Sequence, residues 1–249
     1  MSARLPPPTN QPDGRLPRYQ QLRDDLVQRI AAGEWAPGEA IHTEAELSAA
    51  YEVSTGTLRK AIDLLVAEGV LTRSQGKGTF VRRPRFDSSL FRFFRFKSSS
   101  GEAVRPTARI QQRAIAVPDD AVRQALRLGP RGKAIHLSRL RLVDDQPVLA
   151  EEIWLPRDGF EAVASLAIDD FGDLLYPLYE RLCKQVVATA RETLRVEQAD
   201  KAIARTLGIG PGHPVIRVNR LALNFAGEPI ECRSTVGAAD GFQYEIEIR

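Results

Sequence analysis

Val53-Ser54-Thr55-Gly56-Thr57-Leu58-Arg59-Lys60-Ala61-Ile62-Asp63-Leu64-Leu65, then Glu68-Gly69-Val70-Leu71, then Arg73-Ser74-Gln75-Gly76-Lys77-Gly78-Thr79-Phe80-Val81, is the stretch that decides how this chain folds. Ser54 stands where a helix N-cap offers its hydroxyl to the orphan N–H groups of the first turn. Leu58, Ile62 and Leu65 recur at helical spacing and predict an inward face. Thr55, Thr57, Arg59 and Lys60 then lie near the helix start, mostly outward. Gly69 closes the helix, and Val70 to Ser74 and Thr79 to Arg83 alternate as two strands. Gly76 and Gly78 permit the positive φ of a tight hairpin tip, which lets Lys77 project. A polar helix start followed by a basic hairpin is the layout of a winged helix-turn-helix. In such folds the first residues of the second helix of the motif meet base edges and phosphates, and a hairpin lysine reaches a phosphate or the minor groove.

The residues upstream fit that layout. Tyr19, Leu22, Leu26 and Ile30 form one apolar stripe across Arg18 to Ala32, so a helix is expected there. Gly33 ends it and Pro37-Gly38 makes a turn. Thr43-Glu44-Ala45-Glu46 is a capping box, with Thr43 as N-cap and Glu46 three residues on, and its short helix is expected to bury Leu47 and Tyr51. Residues 1–15, rich in Pro, Gly and polar side chains, lack the apolar core of a signal peptide and are read as a disordered arm.

The chain has 249 residues, 43% of them hydrophobic and 27% charged, which allows one large domain or two small ones with a real core. The net charge of +3 says little, but its distribution says more. Arg73, Lys77, Arg82, Arg83, Arg85, Arg92, Arg95 and Lys97 are opposed only by Asp87, a basic band of the kind phosphate binding needs, or else a solvated face. Cys183 and Cys232 form no Cys-x-x-Cys pattern and are read as buried free thiols of a reducing cytosol. No apolar run approaches the roughly 20 residues of a membrane helix, so neither a membrane partner nor an extracytoplasmic location is expected.

Beyond a boundary at Arg82 to Arg85 comes Leu90-Phe91-Arg92-Phe93-Phe94-Arg95-Phe96, a strand-like aromatic and basic run broken by Ser98-Ser99-Ser100-Gly101. The sequence then repeats itself. Leu126-x-Leu128-Gly129-Pro130 with Ala134-Ile135-x-Leu137-x-Arg139-Leu140-x-Leu142 recurs as Leu207-x-Ile209-Gly210-Pro211 with Val215-Ile216-x-Val218-x-Arg220-Leu221-x-Leu223. A short helix precedes each copy, and a turn leads each into a second strand at Pro147-Val148 and Pro229-Ile230. Two helix-then-hairpin copies imply two similar halves of one sheet about an approximate twofold, with a cleft as a natural ligand site. Arg139 and Arg141 share a strand face. On an inner face they would bind a carboxylate or phosphate, with Glu151 and Glu231 as partners; on an outer face the same residues would be a cross-strand ion-pair ladder.

These motifs carry a resemblance. Residues 16–81 resemble the winged helix-turn-helix of the GntR family of bacterial transcription regulators, through Tyr19-Gln20-Gln21-Leu22-Arg23, Gly33-Glu34-Trp35-x-Pro37-Gly38, Glu44-x-Glu46-Leu47, Val53-Ser54-x-x-Thr57-Leu58-Arg59-Lys60-Ala61 and Gln75-Gly76-Lys77-Gly78-Thr79-Phe80-Val81. Residues 86–249 resemble the UTRA effector-sensing domain of its HutC-type branch, through Arg139-Leu140-Arg141, Pro147-x-x-x-Glu151-x-x-x-Leu155-Pro156, Leu175-Tyr176, Ala202-x-x-x-x-Leu207-Gly208 and Pro229-Ile230-Glu231. The resemblance implies an α+β fold. A winged helix-turn-helix at 16–84 precedes a chorismate-lyase-like UTRA domain at 85–249, with an antiparallel sheet and an internal pseudo-repeat. It implies DNA contacts from Thr43, Glu44, Ser54, Thr55, Gly56, Thr57, Arg59, Lys60, Gln75, Gly76, Lys77 and Gly78, and effector contacts from Arg139, Arg141, Glu151, Tyr176 and Glu231. The chain departs from the family pattern at Ala45 and Thr55, where arginines that contact guanines are usual, so the usual operator does not carry over. It departs again at Leu174 and Phe242, which lack a serine and a tyrosine hydroxyl; a small or more apolar anion then fits better than a phosphosugar.

The function implied is a cytoplasmic regulator, a repressor by resemblance. It would bind a near-palindromic double-stranded operator as a homodimer, under the control of a small anionic metabolite. Two other classes compete with it. A lyase around Arg139 and Glu151 would need a poised acid or base, and His42, His136 and His213 show no partner motif and no metal spacing, so neither catalysis, cofactor nor metal is expected. A ligand-independent DNA-binding protein would have its Arg139 cleft filled by side chains.

Overall fold

A computed structural model describes residues 15–84, 96, 102 and 104–243. Nearly all of the expected N-terminal arm, the aromatic run at 90–95, the break at 98–101 and Arg85, Arg92, Arg95 and Lys97 of the basic band lie outside the described residues. The chain divides into two compact units, Met1–Pro84 with Asn224–Glu228, and Arg85–Leu223 with Pro229–Arg249.

The first unit holds α1 (Arg18–Ala31), α2 (Glu44–Tyr51), α3 (Thr55–Ala67) and a hairpin of β1 (Leu71–Ser74) and β2 (Gly78–Val81). Each helix start has its sequence cause. Thr43 and Glu46 form a full capping box for α2, and the Ser54 hydroxyl accepts from the Thr57 N–H at 3.2 Å. Leu22, Leu26 and Ile30 of α1, Leu47 and Tyr51 of α2 and Leu58, Ile62 and Leu65 of α3 close on one core, each such side chain contributing about 1.5–3 kcal/mol by burial. Two charges lie within it, and both are satisfied. The Tyr51 hydroxyl donates to Asp25 at 2.5 Å and accepts from Arg29 at 2.7 Å, and Arg29 also binds Glu34. The hairpin turns through Gly76 (φ 72°) and Gly78 (φ 120°), a backbone that disfavours any other residue.

The second unit is one six-stranded antiparallel sheet in the order β3-β4-β5-β8-β7-β6. Its strands are β3 (Thr107–Ala116), β4 (Ala134–Val143), β5 (Gln146–Pro156), β6 (Thr189–Gln198), β7 (Pro214–Leu223) and β8 (Pro229–Ala238). Its helices are α4 (Asp120–Ala125), α5 (Glu161–Ser165), α6 (Leu175–Cys183) and α7 (Lys201–Leu207). The repeat is larger than helix-then-hairpin. Each copy opens with a further strand, giving β3-α4-β4-β5 and β6-α7-β7-β8, and β5 meets β8 at the centre. The β4–β5 turn is tight because Asp144 (φ 48°) and Asp145 (φ 60°) both take the left-handed conformation that aspartate tolerates.

The faces of the sheet are covered differently. Ile135, Leu137, Ile153 and Leu155 pack under α5 and α6, against Phe160, Val163, Leu178 and Tyr179. On the same face, Leu149 of β5 and Ile216 and Val218 of β7 meet Phe96, Val148, Ala239 and Phe242 instead. Val215, which alternation turns to the opposite face, packs with Ala204 and Leu207 of α7. Cys183 and Cys232 are free and only partly buried, where sequence suggested full burial; burial and the Glu231 carboxylate push the Cys232 thiol up to about 11.

Candidate functional site

The start of α2, the start of α3 and the β1–β2 tip present one polar surface. Ser54, Thr55, Gly56, Arg59, Lys60, Gln75, Gly76, Lys77 and Gly78 are exposed. Between α2 and the hairpin runs a groove of about 430 Å³ lined by Thr43, Glu44, Gln75, Gly76, Lys77 and Gly78, with Ile41, Ile62 and Arg73. Structure thus brings the expected α2 and hairpin residues to one place. It also gives some of them partners. The Ser54 hydroxyl bonds that of Thr57 at 2.9 Å, and the Lys60 ammonium sits 4.0 Å from the centre of the Tyr19 ring on α1. Arg59 Nη2 donates to Glu44 at 2.8 Å, and Arg73 bridges Asp63 at 2.5 Å and Glu44 at 3.6 Å. Asp63 went unread in the sequence because its partner lies on a different element, ten residues away across a turn.

The second polar constellation is of another kind, because it is buried. Arg139 and Arg141 are 1% and 2% exposed, so they lie on the inner face and not in a surface ladder. The β4–β5 register sets Arg139 opposite Glu151, and Arg139 Nε donates to its carboxylate at 2.6 Å. Arg141 lies 3.8 Å from the same carboxylate and donates to the Asp173 carbonyl at 2.7 Å, just before α6. From β8, Arg233 reaches Glu151 at 3.4 Å and Glu231 at 2.5 Å. The Tyr176 and Tyr179 hydroxyls, one turn apart on α6, donate to the two oxygens of Glu231 at 3.0 and 2.9 Å. Arg220 of β7 donates to the Tyr176 hydroxyl at 3.1 Å and to Glu192 of β6 at 2.5 Å. The five expected effector residues are therefore one connected network.

Its electrostatics lean positive. Arg139, Arg141, Arg220 and Arg233 are joined by the carboxylates of Glu151, Glu231 and Glu192, with Asp173 exposed beside them. Arg139 Nη1 and Arg233 Nε are buried without a hydrogen-bond partner among the described residues. Burial lowers the Arg141 pKa to about 10, and the neighbouring Arg139 and Arg233 lower it too, against Glu151 and Asp173. Burial alone would raise Glu151, yet Arg139, Arg233 and Arg141 bring it down to about 2. Burial and the Glu231 charge push the Tyr176 hydroxyl up to about 12, so it stays a donor at neutral pH. Beside Arg141, α6 starts at Leu174, which gives no side-chain cap. Leu174 is exposed and Phe242 packs into the apolar cluster on Leu149, so neither supplies a hydroxyl here.

Sequence reading missed Arg220, Arg233, Glu192, Tyr179 and Asp173. Some signal was there. Arg220 is the repeat counterpart of Arg139, Arg233 follows Glu231 on the same strand face, and Tyr179 lies one helical turn from Tyr176. Glu192 needed the β6–β7 register, in which it faces Arg220.

A winged helix-turn-helix joined to a six-stranded sheet around a buried arginine cluster defines a class, a DNA-binding regulator with a ligand-sensing domain. The chain belongs to the GntR family of bacterial regulatory proteins, whose sequence model matches residues 18–81, and it carries a UTRA domain, matched at residues 102–243. It is 30% identical to the probable fructoselysine utilization operon transcriptional repressor of Escherichia coli K12, over 85% of this chain and 86% of that one. It is 27% identical to the mannosyl-D-glycerate transport/metabolism system repressor of the same organism, over 82% and 84% of the two chains. The fold is that of PhnF from Mycobacterium smegmatis, with a TM-score of 0.54 and 19% identity over 92% of this chain and 99% of that one. The family and these relatives are transcription regulators, not enzymes. Among the described residues no helix is long and apolar enough to cross a membrane.

Proposed function

We propose that this protein is a cytoplasmic repressor that binds a near-palindromic operator as a homodimer. A small anionic metabolite, held at the Arg139–Arg141 cluster, changes its hold on DNA. The winged helix-turn-helix spans 16–84 and the sensing and dimerising domain 85–249. The observation that carries the effector reading is the buried excess of guanidinium. A cluster with two unpartnered guanidinium nitrogens and an arginine whose charge is disfavoured gains by taking up an anion. A carboxylate there would receive charge-assisted hydrogen bonds from Arg139 and lie close to the uncapped start of α6. That two similar chains are named repressors supports the sign of regulation. The exposed residues of α2, α3 and the hairpin tip would meet DNA, with Lys77 at a phosphate or in the minor groove.

Selection of genomic fragments on the purified protein, followed by footprinting, tests the reading. A discrete near-palindrome is expected. A panel of small carboxylates and sugar phosphates is then added to the complex, with genes beside the site guiding the choice. At least one is expected to shift operator binding in the wild type and not in Arg139→Ala, which should bind DNA normally. Full effector response in Arg139→Ala would move the ligand elsewhere.

A further inference from the structure

Glu44, only partly buried, stands among the exposed groups of the first unit where a DNA-binding surface would least want a carboxylate. Glu44 opens α2, lines the groove beside the hairpin, and faces the side that must approach a polyanion. Its negative charge opposes phosphate binding, so its presence calls for a compensating role. The geometry shows one. Oε2 of Glu44 accepts from both Nε and Nη2 of Arg59, at 3.2 and 2.8 Å, while Oε1 lies 3.6 Å from Nη2 of Arg73 on the hairpin. The Arg59 guanidinium is thus gripped along its Nε–Nη2 edge. The fork has five N–H donors, and a side-on grip leaves the end pair, one hydrogen each from Nη1 and Nη2, unused by Glu44. That end pair is the one that matches O6 and N7 of guanine. The Arg59 side chain is still 59% exposed, so the fork is held but not hidden. Its neighbours offer little competition. Ala45 and Thr55 are short, and Lys60 is stacked on Tyr19.

We propose that Glu44 is a specificity-determining residue that acts as a positioning residue. It fixes Arg59 for end-on reading of a guanine and ties the recognition helix to the hairpin through Arg73. The proposal rests on the DNA-binding reading above. Without Glu44, Arg59 is a free cation that settles on the nearest phosphate whatever the sequence.

The test uses the full chain and two duplexes of equal length, the selected operator and a scrambled version, at one salt concentration. Thr43 and Glu46 keep α2 capped, so Glu44→Ala and Glu44→Gln are expected to melt near the wild type. Glu44→Ala should lower the ratio of specific to non-specific affinity about 10-fold or more, while binding to scrambled DNA holds or rises. Re-selection with this variant should blur one guanine position, and Glu44→Gln, which keeps an acceptor oxygen, should fall between. In an Arg59→Lys background the substitution should change the ratio little. An unchanged ratio overturns the proposal. So does an equal rise for both duplexes, which would make Glu44 a mere repulsive charge, or an equal fall, which would make it scaffolding of α2. Lys77→Ala separates the two levels: if it and Arg59→Ala bind both duplexes like the wild type, the DNA-binding assignment itself fails.

Discussion

The two arginine–glutamate pairs at the heart of this molecule, Arg59–Glu44 and Arg139–Glu151, use the same chemistry in opposite surroundings. The first is open, with the Arg59 side chain 59% exposed; in the second the side chains are 1% and 0% exposed. Around Arg59, water and salt screen every charge, so the pair adds little to stability and the free end of the guanidinium stays open to a DNA strand. Around Arg139 there is no such screening. Each charge there depends on the others, and adding or removing one is felt throughout the network. A residue type read from sequence does not say which of these regimes it serves; the depth of the strand or helix that carries it does.

Removing one partner from each pair should separate the regimes most sharply. Glu151→Ala strands Arg139, Arg141 and Arg233 and should cost about 3–5 kcal/mol of stability in urea unfolding, against about 0–1 kcal/mol for Glu44→Ala. Equal losses would break the contrast. Acid gives the next largest effect. The Glu151 pKa is lowered from 4.5 to about 2, so its stabilisation is present above the unfolded value and is lost as pH falls from 4.5 toward 2. The loss should reach about 3 kcal/mol and appear as a fall in the urea midpoint that is shallower in Glu151→Gln. Salt probes the exposed side. Lys77→Ala should reduce the slope of log affinity for DNA against log salt by about 0.9, as one lost phosphate contact, while Arg59→Ala should relax specificity with little change of slope, and binding of a small anion at Arg139 should respond far less than DNA binding does. The smallest effect tests the scaffold beneath the exposed pair. Thr43→Ala removes the α2 capping box, in which the Thr43 N–H and hydroxyl hold the exposed Glu46 carboxyl below its usual range, and should lower stability by about 1 kcal/mol.

Much of the first unit was legible in the sequence because its signals are local. Thr43 and Ser54 cap helices a few residues away, and Leu58, Ile62 and Leu65 repeat within one helix. Gly76 and Gly78 turn the chain where they stand. The second unit was legible where its own repetition reveals it, in Arg139 and Arg220 and in the paired Pro147 and Pro229. What escaped was long-range. Strands β3 and β6 mix charged and apolar residues, with Glu192 on the same face as Leu194, and give no apolar stripe to read, so Glu192 could not be set against Arg220. Arg59 and Lys60 look alike in sequence, yet one is gripped by Glu44 and the other lies on Tyr19. Those choices are made by packing between elements and leave no periodic trace.

The two copies of the repeat differ where their paired strands face each other. Arg139 faces Glu151 across β4 and β5, and at the matching place in the other copy Arg220 faces Arg233 across β7 and β8. Were both copies alike, a molecule lying on the axis between them would have two indistinguishable poses, and turning it end for end would change nothing. They are not alike: Glu151 stands where the other copy has Arg233, and Arg141 opposite Leu149 where it has Ala222 opposite Glu231, so that reversal exchanges one arrangement of charge for another. The duplicated halves share a backbone plan, and the exchanges at 151 and 233, 141 and 222, and 149 and 231 would give a guest a head and a tail.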